Sequence, residues 1–156
     1  RLWMEAFGDD EAFVDSFLIR YYARRRVLTL TEEGRTVAML HLLPFRTELG
    51  RTTYIYGVAT DPAFRGRGLA SQLMRKAMRL IAERGDDAAF LIPTPGKEWL
   101  REFYGRFGFA GDVPARFVSA DRFDFGTGDA AADRAMVWRR DSSVPLPEQL
   151  TASWHS

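Results

Sequence analysis

Two glycines one residue apart, Gly66 and Gly68, alternate with arginines at the mouth of a helix-patterned segment. The full run is Asp61-Pro62-Ala63-Phe64-Arg65-Gly66-Arg67-Gly68-Leu69-Ala70-Ser71. The chemistry such a run can do is anion binding. The first amide N–H groups of a helix have no internal partner, and the helix dipole favours negative charge at that end. Glycines there remove the side chains that would keep a ligand off the backbone. A phosphate or pyrophosphate suits such a site best. Two nucleotide signatures do not fit. A P-loop needs Gly-Lys-Ser/Thr where this chain has Gly68-Leu69-Ala70-Ser71, and the G-x-G-x-x-G dinucleotide register fails at Ser71.

Other chemistry is thinly represented. The chain has no cysteine, which excludes disulfides, thiolate metal sites and a cysteine nucleophile. His41 and His155 lie far apart and no H-E-x-x-H cluster occurs, so no metal is expected. His41 falls inside an apolar run, where a histidine satisfied by its neighbours is the simpler reading and a catalytic base the sharper one. With 22 basic and 21 acidic side chains the net charge is +1, which gives no case for DNA or another polyanion. No apolar run reaches the length of a membrane span and no signal peptide is visible, so a cytoplasmic location is expected. At 156 residues, 46% of them hydrophobic, one domain with a core that needs no staples is expected.

The elements that must position the glycine run can be read on either side of it. Residues 53–60 form an apolar, aromatic-rich strand pattern. Leu69, Leu73, Ala77, Leu80 and Ile81 repeat at helical spacing over 69–84. After the break at Gly85-Asp86-Asp87, residues 88–92 are uninterruptedly apolar, as in a buried parallel strand. The unit over 53–92 is thus a right-handed strand–loop–helix–strand crossover. Upstream, residues 27–31 and 36–45 flank the turn Glu33-Gly34 as a hairpin. The second of these strands is apolar on both faces and belongs inside a sheet. Ahead of it, aromatic residues at three- and four-residue intervals predict two helices over 2–26, broken near Gly8-Asp9-Asp10 and packed on the sheet.

Downstream, Pro93, Pro95 and Gly96 precede a helix over 97–107, in which Trp99, Phe103 and Phe107 recur at four-residue spacing. Gly105 weakens that helix and Gly108 ends it. Residues 109–118 and 134–139 are expected as the last strands. The acidic stretch 119–133 between them is longer than typical connections and reads as mobile or as a lid. Beyond Asp141, Ser142, Ser143, Pro145 and Pro147 predict an extended or disordered tail.

Arg65-Gly66-Arg67-Gly68-Leu69-Ala70 resembles the Arg/Gln-x-x-Gly-x-Gly/Ala signature of the GNAT superfamily of N-acetyltransferases. Trp99-Leu100-Arg101-Glu102-Phe103-Tyr104-Gly105-Arg106-Phe107-Gly108-Phe109 is similar to the Phe-Tyr-x-x-x-Gly-Phe segment of the same family. The two stand in the family's order and at a similar separation, and the order of elements agrees over 3–137. The resemblance implies a GNAT-like α/β (α+β) fold. That fold is a mixed, mostly antiparallel central sheet of about six or seven strands flanked by helices, with a splayed fourth/fifth strand pair. It also implies one acyltransferase domain over 1–141, whose first strand lies upstream of Arg1, followed by a tail over 142–156.

The same resemblance implies acetyl-CoA as acyl donor, no metal, and a primary amine of a small molecule or peptide as acceptor. No nucleic acid or membrane partner is implied, and a homodimer is left open. Backbone groups of Val58 and Ala59 would meet the pantetheine arm, with Gly57 marking a bulge that opens the sheet. Arg65, Gly66, Arg67, Gly68, Leu69, Ala70 and Ser71 would cradle the pyrophosphate. Tyr104 matches the tyrosine that, in many members, protonates the departing CoA thiolate. A phenol with a pKa of about 10 is protonated at neutral pH and can give a proton to a basic thiolate.

The chain departs from the family pattern in two places. Pro93-Thr94-Pro95 stands where many members carry a polar residue, often asparagine, that holds the pantetheine. Thr52, Thr53, Tyr54 and Tyr56 stand where a glutamate often serves as general base; Glu48 and Asp61 flank that strand, and Asp61 before Pro62 is more simply a turn residue. The base is then a water relayed by tyrosine hydroxyls, or the amine arrives neutral. Besides the N-acetyltransferase, two readings stay open: a catalytically silent CoA-binding regulatory or interaction module, and an enzyme with a non-amine acceptor or a longer acyl group.

Overall fold

The structure is a computed structural model that describes residue 2, residues 27–118 and residues 133–155. The helix pair expected over 2–26, apart from Leu2, and the acidic stretch ahead of Asp133 lie outside the described residues. In order, the described elements are β1 (Val27–Glu32), β2 (Arg35–Thr47), β3 (Gly50–Thr60), a 3-10 turn (Pro62–Phe64), α1 (Leu69–Arg84), β4 (Ala88–Leu91), α2 (Trp99–Gly105), β5 (Ala110–Val118), β6 (Arg134–Arg139) and β7 (Leu150–Trp154). The strands form one seven-stranded mixed sheet in the order β1-β2-β3-β4-β6-β5-β7. β3 and β4 pair in parallel over Thr52–Tyr54, as a crossover through α1 requires. β3 then runs on to Thr60, whereas β4 ends at Leu91.

The described residues fall into two compact units, and the chain passes between them within β2, β3 and α1. The first takes in β1, β2 as far as Leu42, and Ile55–Arg79. Its hairpin turns on Glu33 and Gly34 at φ 52° and 75°, the paired positive values of a type I′ turn. Antiparallel register follows from Glu32↔Arg35 to Val27↔His41, with one irregularity between Leu30 and Thr31. Val37, Ala38, Leu40 and Leu42 of β2 are buried, and α1 buries Leu69, Leu73, Met74 and Ala77, the helical stripe expected.

The second unit takes in Leu43–Tyr54 and the chain from Leu80 onward. β5 and β6, both expected as strands, pair antiparallel. The expectation that β6 is the last strand is corrected: Leu150–Trp154 forms β7 inside the region expected as tail. β7 pairs in parallel with β5, from Ala115↔Leu150 to Val118↔Ser153, and antiparallel with the end of β2 at Phe45↔Trp154. The pairings of this unit therefore close on themselves. Inside, Tyr54 stacks on Phe90 at 4.5 Å, and Phe45 meets Tyr54, Phe90, Phe117 and Trp154 edge-on. The alternation of buried Leu150 and Ala152 with exposed Thr151 and Ser153 is what a strand with one face on that core requires.

The end of α1 is fastened in the same unit. Gly85 at φ 76° donates to Ala82 O, and Asp86 N to Ile81 O, a Schellman cap. Arg140 bonds the carbonyls of Asp86 at 2.8 Å and Ala82 at 2.7 Å. The Asp86 carboxylate, buried, accepts from Thr53 Oγ1 at 2.6 Å and pairs with Arg51 Nε at 3.1 Å.

Candidate active site

The glycine run is built from its first residue onward. Asp61 N donates to Val37 O at 2.7 Å, which fixes the exit of β3 against β2. The Asp61 carboxylate accepts from Ala63 N at 2.9 Å and pairs with Arg35. This buried aspartate therefore caps the 3-10 turn, the turn role expected of it. Pro62 supplies the fixed φ of a first helical position. Gly66 and Gly68 then adopt φ 82° and 73°, values that an L side chain strains to reach. A Cβ built on either glycine meets nothing within 4 Å. The space beside both is open, so the backbone and not packing requires glycine.

The first intrahelical bond of α1 is Gln72 N to Gly68 O, at 3.0 Å. The amides of Leu69, Ala70 and Ser71 precede it and have no helical acceptor. The first turn of α1 carries no acidic residue that would offset the dipole. Leu69 is buried and anchors the turn, while Ala70 and Ser71 are half-buried. These features fit an anion bound by backbone amides. In β3, Val58 is half-buried, Ala59 buried, and Gly57 has φ 68° inside the strand, the conformation of a bulge residue. The expected site residues from Val58 to Ser71 thus lie together in the first unit.

The arginines of the run differ. Arg65 is exposed. Arg67 donates to Glu32 at 3.2 Å, and its guanidinium lies 4.8 Å from the centre of the Phe64 ring, with Arg35 at 5.6 Å from the same ring. Glu32, Arg35 and Phe64 are therefore part of the site's surroundings, and sequence reasoning missed them. Glu32 and Arg35 belong to a hairpin that precedes the run by about thirty residues, so spacing carries no signal of the contact; the one hint was an aromatic residue set among arginines.

Tyr104 belongs to the second unit. It lies on α2, 7% exposed, with Phe103 edge-on at 5.1 Å. Burial alone pushes its phenol up to about 12. Among the described residues no buried side-chain nitrogen or oxygen lacks a partner, and nothing in them bonds the Tyr104 hydroxyl. α2 is held by Arg101, which bonds Gly111 O and the Asp112 carboxylate, both at 3.1 Å. Arg134 holds the same carboxylate at 3.0 Å, and the Arg134 and Arg101 guanidiniums keep Asp112 below the usual carboxylate range. The helix is shorter than expected, Trp99–Gly105, and ends through Phe107 N and Phe109 N, both donating to Tyr104 O.

Among the described residues, the two carboxylates that flank β3 in sequence, Glu48 and Asp61, are both engaged. Glu48 accepts Thr151 N at 2.7 and 3.0 Å, and Asp61 is held as described. His41 is buried, with Nδ1 3.3 Å from Tyr56 O. Burial, only partly offset by that bond, lowers its pKa to about 4 and keeps the imidazole neutral. The histidine is satisfied by its surroundings, the simpler of its two readings.

The fold recurs in solved structures. A GNAT family N-acetyltransferase, YhbS from Escherichia coli, in complex with CoA, superposes with a TM-score of 0.67 at 19% identity, covering 99% of this chain and 81% of that one. A GNAT family acetyltransferase from Elizabethkingia anophelis with acetyl-CoA bound gives 0.62 at 15% identity, with 88% of each chain covered. One from Brucella melitensis, in complex with acetyl-CoA, gives 0.61 at 16% identity over 99% and 84%. No curated protein matches the sequence. The acetyltransferase (GNAT) domain profile matches residues 1–111, well over half of the chain. The chain belongs to the GNAT acetyltransferase family.

Proposed function

We propose that this protein is an acetyl-CoA-dependent N-acetyltransferase that transfers an acetyl group to the primary amine of a small molecule or peptide, by direct attack in a ternary complex. The observation that carries the reading is the loop at the head of α1. Gly66 and Gly68 hold positive φ with open space beside them, and three helix amides have no helical acceptor. That arrangement suits the pyrophosphate of CoA. Structural neighbours with CoA or acetyl-CoA bound support the same donor.

In this reading the amides from Arg65 to Ser71 hold the pyrophosphate, and backbone groups of Val58 and Ala59 meet the pantetheine. The neutral amine nitrogen bonds to the thioester carbon and loses a proton to water, the C–S bond breaks, and the sulfur acquires a proton. Tyr104 is the donor to that sulfur. Its raised pKa of about 12 keeps it protonated at neutral pH. The same shift weakens it as an acid against a thiol of about 8.5, so it acts first as a hydrogen-bond donor to charge developing on sulfur. The engaged Glu48 and Asp61 support a base that is a water or an amine arriving neutral.

The same observation favours a second reading, a CoA-binding module without turnover. One pair of experiments separates them. Saturating CoA, at about one hundred times its dissociation constant, adds roughly 2.7 kcal/mol and raises the melting temperature by roughly 5–10 °C under both readings. A panel of amines with acetyl-CoA and detection of free thiol gives turnover only for the enzyme. No melting shift at millimolar CoA would refute both.

A further inference from the structure

One cross-strand pair of the β1–β2 hairpin grips the glycine loop at two points. Glu32 and Arg35 are register partners next to the turn. Arg35 pairs with Asp61 at the start of the loop, and Glu32 pairs with Arg67, the single residue between Gly66 and Gly68. Both guanidiniums lie over the Phe64 ring, at 5.6 and 4.8 Å. Each cation of this cluster has a carboxylate of its own, and Phe64 is the platform they share.

The physical need for such a grip is conformational. Glycine has more backbone freedom to lose than any other residue, and this loop carries two at φ 82° and 73°. A loop that must be ordered by its ligand binds it more weakly than one already ordered. Fixing Arg67 restricts the glycines on both sides of it.

We infer that Glu32, Arg35 and Phe64 are positioning residues for the anion-binding loop, and that Arg67 belongs to this clamp and is not a counter-charge of the ligand. The inference rests on the CoA reading of the loop. It reassigns the Arg67 side chain, expected from the sequence among the residues that cradle the pyrophosphate, and it leaves Arg65 as the loop arginine outside the clamp.

A double-mutant cycle tests it, with CoA and 3′-dephospho-CoA affinities measured by calorimetry on the wild type, Glu32→Gln, Arg67→Gln and the double variant. The Arg67 and Glu32 side chains are 56% and 42% exposed, so all four proteins should fold, which melting temperatures check. Each single change should weaken both ligands by roughly two- to fivefold, the scale of an exposed ion pair. The loss from Glu32→Gln should vanish in the Arg67→Gln background, because the carboxylate acts through that arginine. Phe64→Leu should reproduce the loss. If Arg67 instead serves the ligand, releasing it from Glu32 tightens CoA, and that gain overturns the inference. Losses that simply add overturn it too. A wild type that binds neither ligand removes the CoA reading and the inference with it, whereas a binding wild type with additive variants removes the inference alone.

Discussion

A Cβ on Gly108 would stand 3.0 Å from Cδ1 of Trp138, on β6. Gly108 also has φ 90°, and it follows Phe107 in the turn that ends α2. Backbone conformation therefore requires glycine in the Gly108-Phe109 pair, and a side chain there would also press on the Trp138 indole. That part of the signature shapes the end of the helix that carries Tyr104.

Gly108→Ala should accordingly destabilise the fold. A left-handed conformation costs an L residue about 1–2 kcal/mol, and crowding against a large ring adds to it. At roughly 2–4 °C per kcal/mol, the melting temperature should fall by roughly 4–12 °C. Thermal denaturation measures this directly. A shift below about 1 °C would mean that the turn relaxes freely.

The anion loop allows a strain-matched comparison. Gly68 and Gly34 have φ 73° and 75°, and a Cβ on either meets nothing within 4 Å. Gly68→Ala and Gly34→Ala should therefore lower the melting temperature by similar amounts, each through about 1–2 kcal/mol of backbone strain. Only Gly68→Ala should lose CoA affinity, by tenfold or more, because its methyl enters the space beside the amides of α1. Equal CoA affinities in the two variants would reduce the loop to a turn.

His41 makes stability depend on pH. Burial depresses its pKa from 6.5 to about 4, so the unfolded chain binds a proton that the folded chain refuses. Stability from this group is present above pH 6.5 and is lost as pH falls from about 6.5 to about 4, by up to 1.4 kcal/mol per unit. His41→Gln should show a shallower decline over that window than the wild type. Denaturant titrations of both proteins at pH 7 and pH 5 provide the comparison.

Much of this architecture was legible because it is local. The Glu33-Gly34 turn and the helix over Leu69–Arg84 follow from residues within one turn of each other, and the structure agrees with both. β7 was not legible as a strand. Leu150, Thr151, Ala152 and Ser153 alternate correctly, but Pro145 and Pro147 precede them, and the parallel partner is Ala115 to Val118. A pairing at that separation leaves no trace in spacing. The site divides the same way: the Gly66 and Gly68 turn was readable, whereas the Glu32–Arg67 contact joins two segments with no shared period.

Tyr104 separates enzyme from silent binder. Its hydroxyl has no partner among the described residues, and burial alone accounts for its pKa of about 12. A phenol in that state adds little to stability, so Tyr104→Phe should leave the melting temperature unchanged or slightly raised. If the hydroxyl serves the departing sulfur, its loss is felt in the transition state. The turnover number should then fall by about 10²- to 10⁴-fold while CoA affinity changes by less than tenfold. The raised pKa adds a second signature. Tyr104 stays protonated through the ordinary assay range, so wild-type turnover should show no alkaline decline from this group between about pH 8 and pH 10. An amine found from the panel is the acceptor, with kcat and CoA affinity measured on both proteins across that range. Unchanged kcat in Tyr104→Phe would withdraw the tyrosine from the chemistry and leave the anion loop as it stands.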